Sequence, residues 1–170
     1  LITGGAGYLG SVIIDYLYQL GQINKLTVYD NLMYNQTSCI NYAHKRDFEF
    51  VYGDVRNHEK LLPYVEEADV IIPLAAIVGF PACERDKDLA TAINFTHVKF
   101  ICDNLKEGQR IIYPNTNSGY GIGENGECTE ESPLNPISHY GVTKVKAEKE
   151  ILRVGGISLR LATVFGLSLI

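Results

Sequence analysis

The sequence predicts an α/β fold in which a doubly wound parallel sheet is covered by helices on both faces. Three observations support this prediction. A glycine-rich turn at residues 4–10 follows the apolar end of a strand. Short β-prone runs then alternate with stretches of helical periodicity, and polar residues follow several of these runs, where open α/β sheets bind ligands. The strand order expected for this alternation is 3-2-1-4-5-6.

Length and composition favour one domain over residues 1–170 with a sizeable core, since 46% of the chain is hydrophobic. The net charge is -5 and Lys and Arg do not cluster, which argues against nucleic acid as a partner. The longest apolar run, residues 70–80, is too short to span a membrane. No Cys or His spacing suggests a metal site, and we interpret the cysteines as reduced thiols of a cytoplasmic protein.

The glycine-rich turn has the layout of a dinucleotide-binding βα turn. Gly5, Gly7 and Gly10 fit the spacing Gly-x-Gly-x-x-Gly. A second spacing, Gly-x-x-Gly-x-x-Gly, starts at Gly4. Glycine permits a sharp turn, leaves bare backbone for a pyrophosphate and lets the next helix pack close to the strand, so that the phosphates would rest on the helix N-terminus. Taken alone, the stretch could also be an ordinary glycine-rich turn.

The remaining elements follow from periodicity and from turn residues. Apolar residues at helical spacing predict helices, and short apolar runs bounded by Gly, Pro, Asn or Asp predict strands. Val12, Ile13 and Leu17 mark the first helix, which Gly21 ends. The later elements, in order, are a strand over 26–29 ending in Asp30, a short helix over 38–45, a strand over 48–52, a polar helix over 58–67, a buried strand over 70–76, a long helical stretch over 82–107, a strand over 110–114, a polar loop over 115–121, a second loop over 122–136, a helix starting at Ser138 and a strand over 157–164.

Acidic and small residues at the strand ends indicate how a dinucleotide would be held. Asp30 lies twenty residues after Gly10, a spacing at which a carboxylate accepts hydrogen bonds from the adenosine ribose and repels a 2′-phosphate. The next three residues include no Arg or Lys to bind that phosphate, so the sequence predicts NAD rather than NADP. Asp54, at the end of the third strand, could meet the adenine amino group. Ala75 and Ala76 leave room for the ligand, although a need for small side chains in a tightly packed core explains them equally well.

Tyr140 and Lys144 are candidates for acid/base chemistry. Their spacing places both side chains on one face of the helix that starts at Ser138. A lysine ammonium beside a phenol favours the phenolate, which lowers the phenol pKa from about 10 toward neutrality, as alcohol oxidation requires. Thr116, in the polar loop after the fifth strand, could hydrogen-bond the same substrate oxygen.

Six features of the chain together resemble a known family: TGGAGYLG at residues 3–10, Asp30, GDVRN at 53–57, NTNSGYG at 115–121, the Tyr140 and Lys144 pair, and LRLATVFG at 159–166. In this order they are similar to the extended short-chain dehydrogenase/reductase family, whose cofactor domain has the Rossmann fold. More narrowly, the chain resembles the NAD-dependent sugar-nucleotide epimerases and dehydratases. This group includes enzymes like UDP-glucose 4-epimerase and enzymes that oxidise nucleotide-linked heptoses at C4.

The resemblance implies that Tyr140 is the catalytic acid/base, Thr116 its hydroxyl partner, and Lys144 the residue that holds the nicotinamide ribose and tunes Tyr140. The implied reaction removes a proton from the C4 hydroxyl of a nucleotide sugar while hydride passes to NAD, in an epimerase or a 4-dehydrogenase. A homodimer is also implied. The cofactor-binding residues implied are Gly4, Gly7, Tyr8, Leu9, Gly10, Asp30, Asn31, Asp54, Val55, Leu74, Ala75, Ala76, Asn94, Tyr140 and Lys144.

Departures from the family pattern bear on the reaction. Asn117 and Ser118 stand where 4,6-dehydratases have an Asp-Glu pair, and neither is an effective general acid, so we disfavour 4,6-dehydration. Thr163 replaces a common Asn near the sugar nucleotide, which leaves the identity of the sugar open, and Pro73 replaces a common His. An NAD-binding sensor or scaffold protein of the same fold, without catalysis, is the alternative function.

Family members carry a further region after the sixth strand that builds most of the sugar-nucleotide pocket. The chain begins inside its first predicted strand and ends at Ile170, shortly after the sixth. We therefore expect a fragment that retains the NAD-binding domain, with the start of the first strand missing and the C-terminal substrate lobe largely absent.

Overall fold

A computed structural model describes residues 1–122 and 127–167. Its six strands form one parallel sheet in the order β3-β2-β1-β4-β5-β6, which confirms the predicted topology. The strands are β1 (Ile2–Thr3), β2 (Leu26–Asp30), β3 (Phe48–Tyr52), β4 (Val70–Pro73), β5 (Arg110–Thr116) and β6 (Ile157–Leu161).

Six α-helices surround the sheet in the described residues: α1 (Tyr8–Leu20), α2 (His58–Glu67), α3 (Phe80–Arg85), α4 (Lys87–Thr91), α5 (His97–Asp103) and α6 (His139–Arg153). Two 3-10 segments, Ser38–Tyr42 and Asn117–Tyr120, and one π-helical segment, Ala92–Thr96, complete the elements. The bounds of α1 and α6 agree with the prediction. Gly21 ends α1 in the left-handed conformation (φ 63°), and the Ser138 side chain caps α6 by accepting from the Gly141 N–H.

Two apolar clusters pack on opposite faces of the sheet. Successive residues of a strand point to opposite faces, so Val28 and Tyr29 belong to different clusters. Val28 packs with Ile14 of α1, while Tyr29 belongs to the larger cluster that contains the buried residues of α2, α5 and α6. The β2 and β4 strands contribute to both clusters and are therefore packed from both sides, which holds their carboxyl ends in place.

The predicted helix over 82–107 is wrong in detail, because the structure divides it into four pieces. Asp86 adopts an extended conformation (φ -145°, ψ 90°) and its carboxylate accepts from the Leu89 N–H, which ends α3 and starts α4. Between α4 and α5 the chain forms the π-helical segment. The predicted strand over 70–76 is also too long, since β4 ends at Pro73, and the predicted helix over 38–45 is a short 3-10 segment.

The carboxyl ends of the strands meet at the point where the order reverses between β1 and β4. This is where open α/β sheets bind ligands. Across residues 1–122 and 127–167, neither a helix able to span a membrane nor a group of metal-ligating side chains is present.

We expect Ile71→Ala to destabilise the protein by about 2–5 kcal/mol, because Ile71 is fully buried in β4 and the smaller side chain leaves a cavity. Ile157→Ala is the matched control, since Ile157 is also a strand residue but is 55% exposed. The free energies of unfolding in urea should differ by more than about 1 kcal/mol between the two variants. Equal losses would contradict the assignment of Ile71 to the core.

Candidate functional site

A cavity of about 610 Å³ lies along the carboxyl ends of the strands. It is lined by all three predicted catalytic residues and by most of the predicted cofactor-binding residues. The predicted residues that line it are Gly4, Gly7, Tyr8, Leu9, Gly10, Asp30, Asn31, Val55, Leu74, Ala75, Ala76, Thr116, Tyr140 and Lys144.

The glycine turn is packed so closely that a side chain would not fit at Gly4 or at Gly10. Gly4 has a φ of 70°, and a Cβ there would collide with the backbone nitrogen of Ala75 in the segment after β4. A Cβ on Gly10 would collide with the carbonyl oxygen of Gly5, which confirms that glycine lets α1 pack directly against the turn. Gly7 precedes α1, and no side chain caps that helix. The helix N-terminus therefore presents bare backbone to the cavity, an arrangement suited to a phosphate.

Asp30 ties the end of β2 to this turn. One carboxylate oxygen accepts from the Ala6 N–H at 3.0 Å, and the other accepts from the Leu32 N–H at 2.7 Å. Leu32 itself has a positive φ of 53°, so the chain turns away sharply after β2. Each carboxylate oxygen has further lone pairs, and Asp30 lines the cavity. A ligand hydroxyl could therefore bond to Asp30 without breaking either backbone contact.

Thr116, Tyr140 and Lys144 come from the end of β5 and the first turns of α6. The Thr116 hydroxyl donates to the Ser118 hydroxyl at 3.0 Å and accepts from the Ser118 N–H at 3.2 Å. The Lys144 ammonium is buried, donates to the Pro114 carbonyl at 3.0 Å, and lies 3.9 Å from the ring centroid of Tyr113. The Thr116 and Lys144 side chains are thus held by Ser118 and by the Pro114 carbonyl, in a cavity wall to which Tyr140 also belongs.

Burial shifts the pKa values of Tyr140 and Lys144 in opposite directions. Burial and the neighbouring Cys83 raise the pKa of Tyr140, and its hydrogen bond with Thr116 partly offsets the rise. Burial lowers the pKa of Lys144 to about 7, and the carboxylate of Glu148 opposes that shift. We expected Lys144 to lower the pKa of Tyr140. The structure differs, because the Lys144 ammonium bonds to the Pro114 carbonyl and the burial of Tyr140 dominates the shift of its pKa.

Two predicted cofactor residues, Asp54 and Asn94, do not line the cavity. Asp54 lies between Gly53 and Val55, which do, and its carboxylate is held by Arg56 at 2.6 Å and by Asn31 at 3.3 Å. The Arg56 guanidinium lowers the pKa of Asp54 to about 2. Contact of either residue with a cofactor stays a prediction.

Asn94 supports the cavity wall from behind. Its amide accepts from the Ile77 N–H at 2.8 Å and donates to the Ile77 carbonyl at 2.9 Å. The same amide nitrogen lies 3.3 Å from the Thr143 hydroxyl, which donates to the Tyr140 carbonyl. Asn94 therefore fixes the segment after β4 relative to the helix that carries Tyr140.

The π-helical segment that carries Asn94 depends on a buried histidine. The His97 N–H bonds to the Ala92 carbonyl, one residue further back than in an α-helix, which leaves the Ile93 carbonyl without its usual donor. The His97 Nδ1 bonds to that carbonyl, so this nitrogen carries the hydrogen, and burial lowers the pKa of the imidazole to about 4.

Sequence reasoning missed several residues of the cavity. Asn115 is buried at the end of β5 and its side-chain oxygen has no hydrogen-bond partner, yet in the sequence it is one of several polar residues in the NTNSGYG run. Gln36, whose side-chain oxygen lies near Gly7, follows a stretch with no regular pattern. Leu161, Ala162 and Val164 also line the cavity, on either side of Thr163, which the resemblance had placed near the sugar nucleotide; their signal in the sequence was their place in the LRLATVFG run.

The arrangement suits an elongated anionic ligand. Its phosphates would lie on the bare N-terminus of α1 and a ribose would reach Asp30, while its far end would lie beside Thr116 and Tyr140. A phenol and a threonine hydroxyl that line the same cavity can together hold and exchange the proton of a substrate hydroxyl.

Comparison with known proteins agrees with this geometry. The model of the NAD dependent epimerase/dehydratase family matches residues 1–168. The chain is 30% identical to the dTDP-D-glucose 4,6-dehydratase of Dictyostelium discoideum over 87% of its own length and 38% of that protein. It is 28% identical to the ADP-L-glycero-D-manno-heptose-6-epimerase of Nitratidesulfovibrio vulgaris, over 98% and 53% of the two chains.

A solved structure of a UDP-glucuronic acid 4-epimerase from Bacillus cereus in complex with NAD has the same fold. Its TM-score is 0.80 at 25% identity, over 97% of this chain and 56% of that one. The chain spans about half the length of the curated relatives it matches.

We expect stability to fall between pH 7 and pH 5 through His97. The imidazole has a pKa of about 4 when folded, below its ordinary value, so in this range the unfolded chain binds a proton that the folded chain does not. The free energy of unfolding should therefore drop by about 2 kcal/mol more in the wild type than in His97→Gln. Urea unfolding at the two pH values measures this, with His44→Gln, a change at an exposed histidine, as control. An equal drop in the wild type and His97→Gln would contradict the prediction.

Proposed function

The chain belongs to the NAD-dependent epimerase/dehydratase family, and on that basis we propose that the whole protein oxidises a nucleotide-linked sugar at C4 with NAD, as an epimerase or a 4-dehydrogenase. The observation that carries this proposal is that Thr116, Tyr140 and Lys144 line the same cavity as the uncapped glycine turn. The nucleotide-sugar substrate, a homodimer and a cytoplasmic location are predictions for the whole protein.

NAD fits the residues that surround the cavity. The turn, in which a Cβ on Gly4 or Gly10 would collide with neighbouring backbone, leaves bare backbone for a pyrophosphate at α1, and the Asp30 carboxylate suits a ribose with free hydroxyls. A 2′-phosphate would meet the charge of Asp30, which favours NAD over NADP. When bound, NAD supplies the hydride acceptor that no side chain provides.

Tyr140 is proposed to take the proton of the sugar hydroxyl, while Thr116 orients the same oxygen. Because burial raises the pKa of Tyr140, its phenolate needs a positive charge nearby at neutral pH. Lys144, one helical turn further along α6, is proposed to provide that charge when it is protonated and turns from the Pro114 carbonyl toward Tyr140. Its pKa of about 7 means that the ammonium fraction decreases as the pH rises through neutrality.

An epimerase or a 4-dehydrogenase is favoured over a 4,6-dehydratase by the residues that follow Thr116. Asn117 is exposed and Ser118 exchanges hydrogen bonds with Thr116, and neither side chain can donate a proton as a carboxylic acid does. Dehydratases are nonetheless among the relatives of the chain, and oxidation at C4 is compatible with either outcome. The preference for an epimerase or a 4-dehydrogenase therefore rests on these two side chains and not on the comparisons.

Tyr140→Phe should reduce turnover of nucleotide sugars by the full protein by at least about 100-fold, because the proton acceptor is removed. NAD binding, measured by calorimetry, should change by less than about twofold. Tyr16→Phe, a change at an exposed tyrosine of α1, is the control. An active Tyr140→Phe protein would refute the assigned role. If the wild type binds NAD but turns over no sugar in a broad panel, a sensor or scaffold without catalysis is the better interpretation.

Asp30→Asn should lower the affinity for NAD and raise that for NADP, so that their ratio shifts by about tenfold or more. The charge that repels a 2′-phosphate is lost, while the amide oxygen can still accept from the Ala6 N–H. Calorimetric titration of both cofactors measures the ratio, and Asp88→Asn, an exposed change in α4, is the control. Equal affinity of the wild type for NAD and NADP would contradict our interpretation of Asp30.

A further inference from the structure

Glu148 and Arg160 form the most buried ion pair of residues 1–122 and 127–167. The Arg160 Nε donates to Glu148 Oε1 at 2.9 Å, and the two side chains are only 15% and 4% exposed. Every other ion pair within these residues has at least one side chain that is about half exposed. Removing two charges from water costs roughly as much as their attraction returns, so a pair of this kind adds little net stability.

The remaining donors of Arg160 reach the loop that follows β5. Its Nη1 donates to the Tyr120 hydroxyl at 3.1 Å and to the Glu130 carbonyl at 3.0 Å. The guanidinium also lies 5.2 Å from the ring centroid of Tyr120, and the Tyr120 hydroxyl donates to the Thr129 carbonyl at 3.0 Å. One guanidinium thus joins α6, β6 and two separate parts of this loop.

The pair lies beside the proposed catalytic residues, and its hydrogen bonds within the described residues go to other groups. Glu148 is one helical turn beyond Lys144 and two beyond Tyr140 on α6. Arg160 is the strand partner of Asn115, and the next residue of β6 is the partner of Thr116. Glu148 Oε2 is buried without a hydrogen bond, so the carboxylate has one direct bond in the structure, and that bond is to Arg160.

We propose that the Glu148 and Arg160 pair is a positioning device for the reaction. It fixes the loop after β5 relative to α6, and thereby sets the distance between Thr116 at the start of the loop and Tyr140 on the helix. This role rests on the proposed function for its catalytic consequence, but the positioning itself is independent of any substrate. A planar guanidinium can bond to three acceptors in fixed directions, which a lysine cannot reproduce.

Hydrogen exchange of the full natural protein tests the positioning. Glu148→Gln removes the charge but keeps the shape, so amide exchange at 117–122 and 127–136 should accelerate by about tenfold while β2 and α5 are unchanged. Glu150→Gln is the matched control, since it breaks an exposed pair with Arg153 on the same helix.

Arg160→Lys keeps a positive charge but loses the fixed fork of donors, and should accelerate exchange in the same segments. If Glu148→Gln does not fold, Arg160→Lys provides the test. Unchanged loop exchange in the folded variants, or equal acceleration everywhere, would overturn the proposal.

Steady-state kinetics test the consequence for the reaction. In Glu148→Gln the kcat for the sugar should fall by about tenfold to 100-fold, while the affinity for NAD stays within about twofold. Misplacing Thr116 relative to Tyr140 slows the reaction more than it weakens cofactor binding. Glu150→Gln should keep the wild-type kcat. A fall in NAD affinity equal to the fall in kcat would overturn the catalytic part. If the wild type turns over no nucleotide sugar, the proposed function fails, while loop exchange still decides the positioning.

Discussion

The close approach of α1 to the turn after β1 is the constraint on which the site depends. Because Gly10 meets the carbonyl of Gly5 with no side chain between them, the first turn of α1 packs directly against the turn that follows β1. Gly4 in turn lets the segment after β4 approach the same turn. The Asp30 carboxylate then bonds to the Ala6 N–H and fixes the turn to β2. Three neighbouring strands thus share one turn, and the cavity occupies the space beside it.

Much of the fold and of the site could be predicted from the sequence, because the strong signals are local. The glycine turn and the apolar runs predicted the strand order, and the local motifs predicted 14 of the 32 residues that line the cavity, including all three catalytic candidates. The divided helix over 82–107 could not be predicted, because its periodicity continues through Asp86 and through the π-helical segment. Both departures depend on hydrogen bonds made by single side chains. The opposed pKa shifts of Tyr140 and Lys144 depend on burial, which spacing alone does not indicate.

The burial of Lys144 has two effects that act against each other. Desolvation weakens its charge, yet the same surroundings hold the ammonium on the Pro114 carbonyl and over the Tyr113 ring, where its position is fixed. A more exposed lysine would keep its charge but would lose this geometry. Its side chain would then lose conformational entropy each time a ligand binds. Glu148, which opposes the fall in the Lys144 pKa, belongs to the same helix. The charge and the position of the Lys144 ammonium are therefore set by neighbouring protein groups rather than by solvent.

Asn94 bonds to both polar backbone groups of a single residue, Ile77, through its side-chain amide. Neighbouring strands of an antiparallel sheet exchange hydrogen bonds in the same two-point manner. The Asn94 amide thus bonds to the backbone beyond the end of β4 as a neighbouring strand would. One side chain thus satisfies the backbone of Ile77 where the sheet has ended, and no further strand is needed beside the cavity. The segment after β4 can therefore form an ordered part of the cavity wall without being part of the sheet.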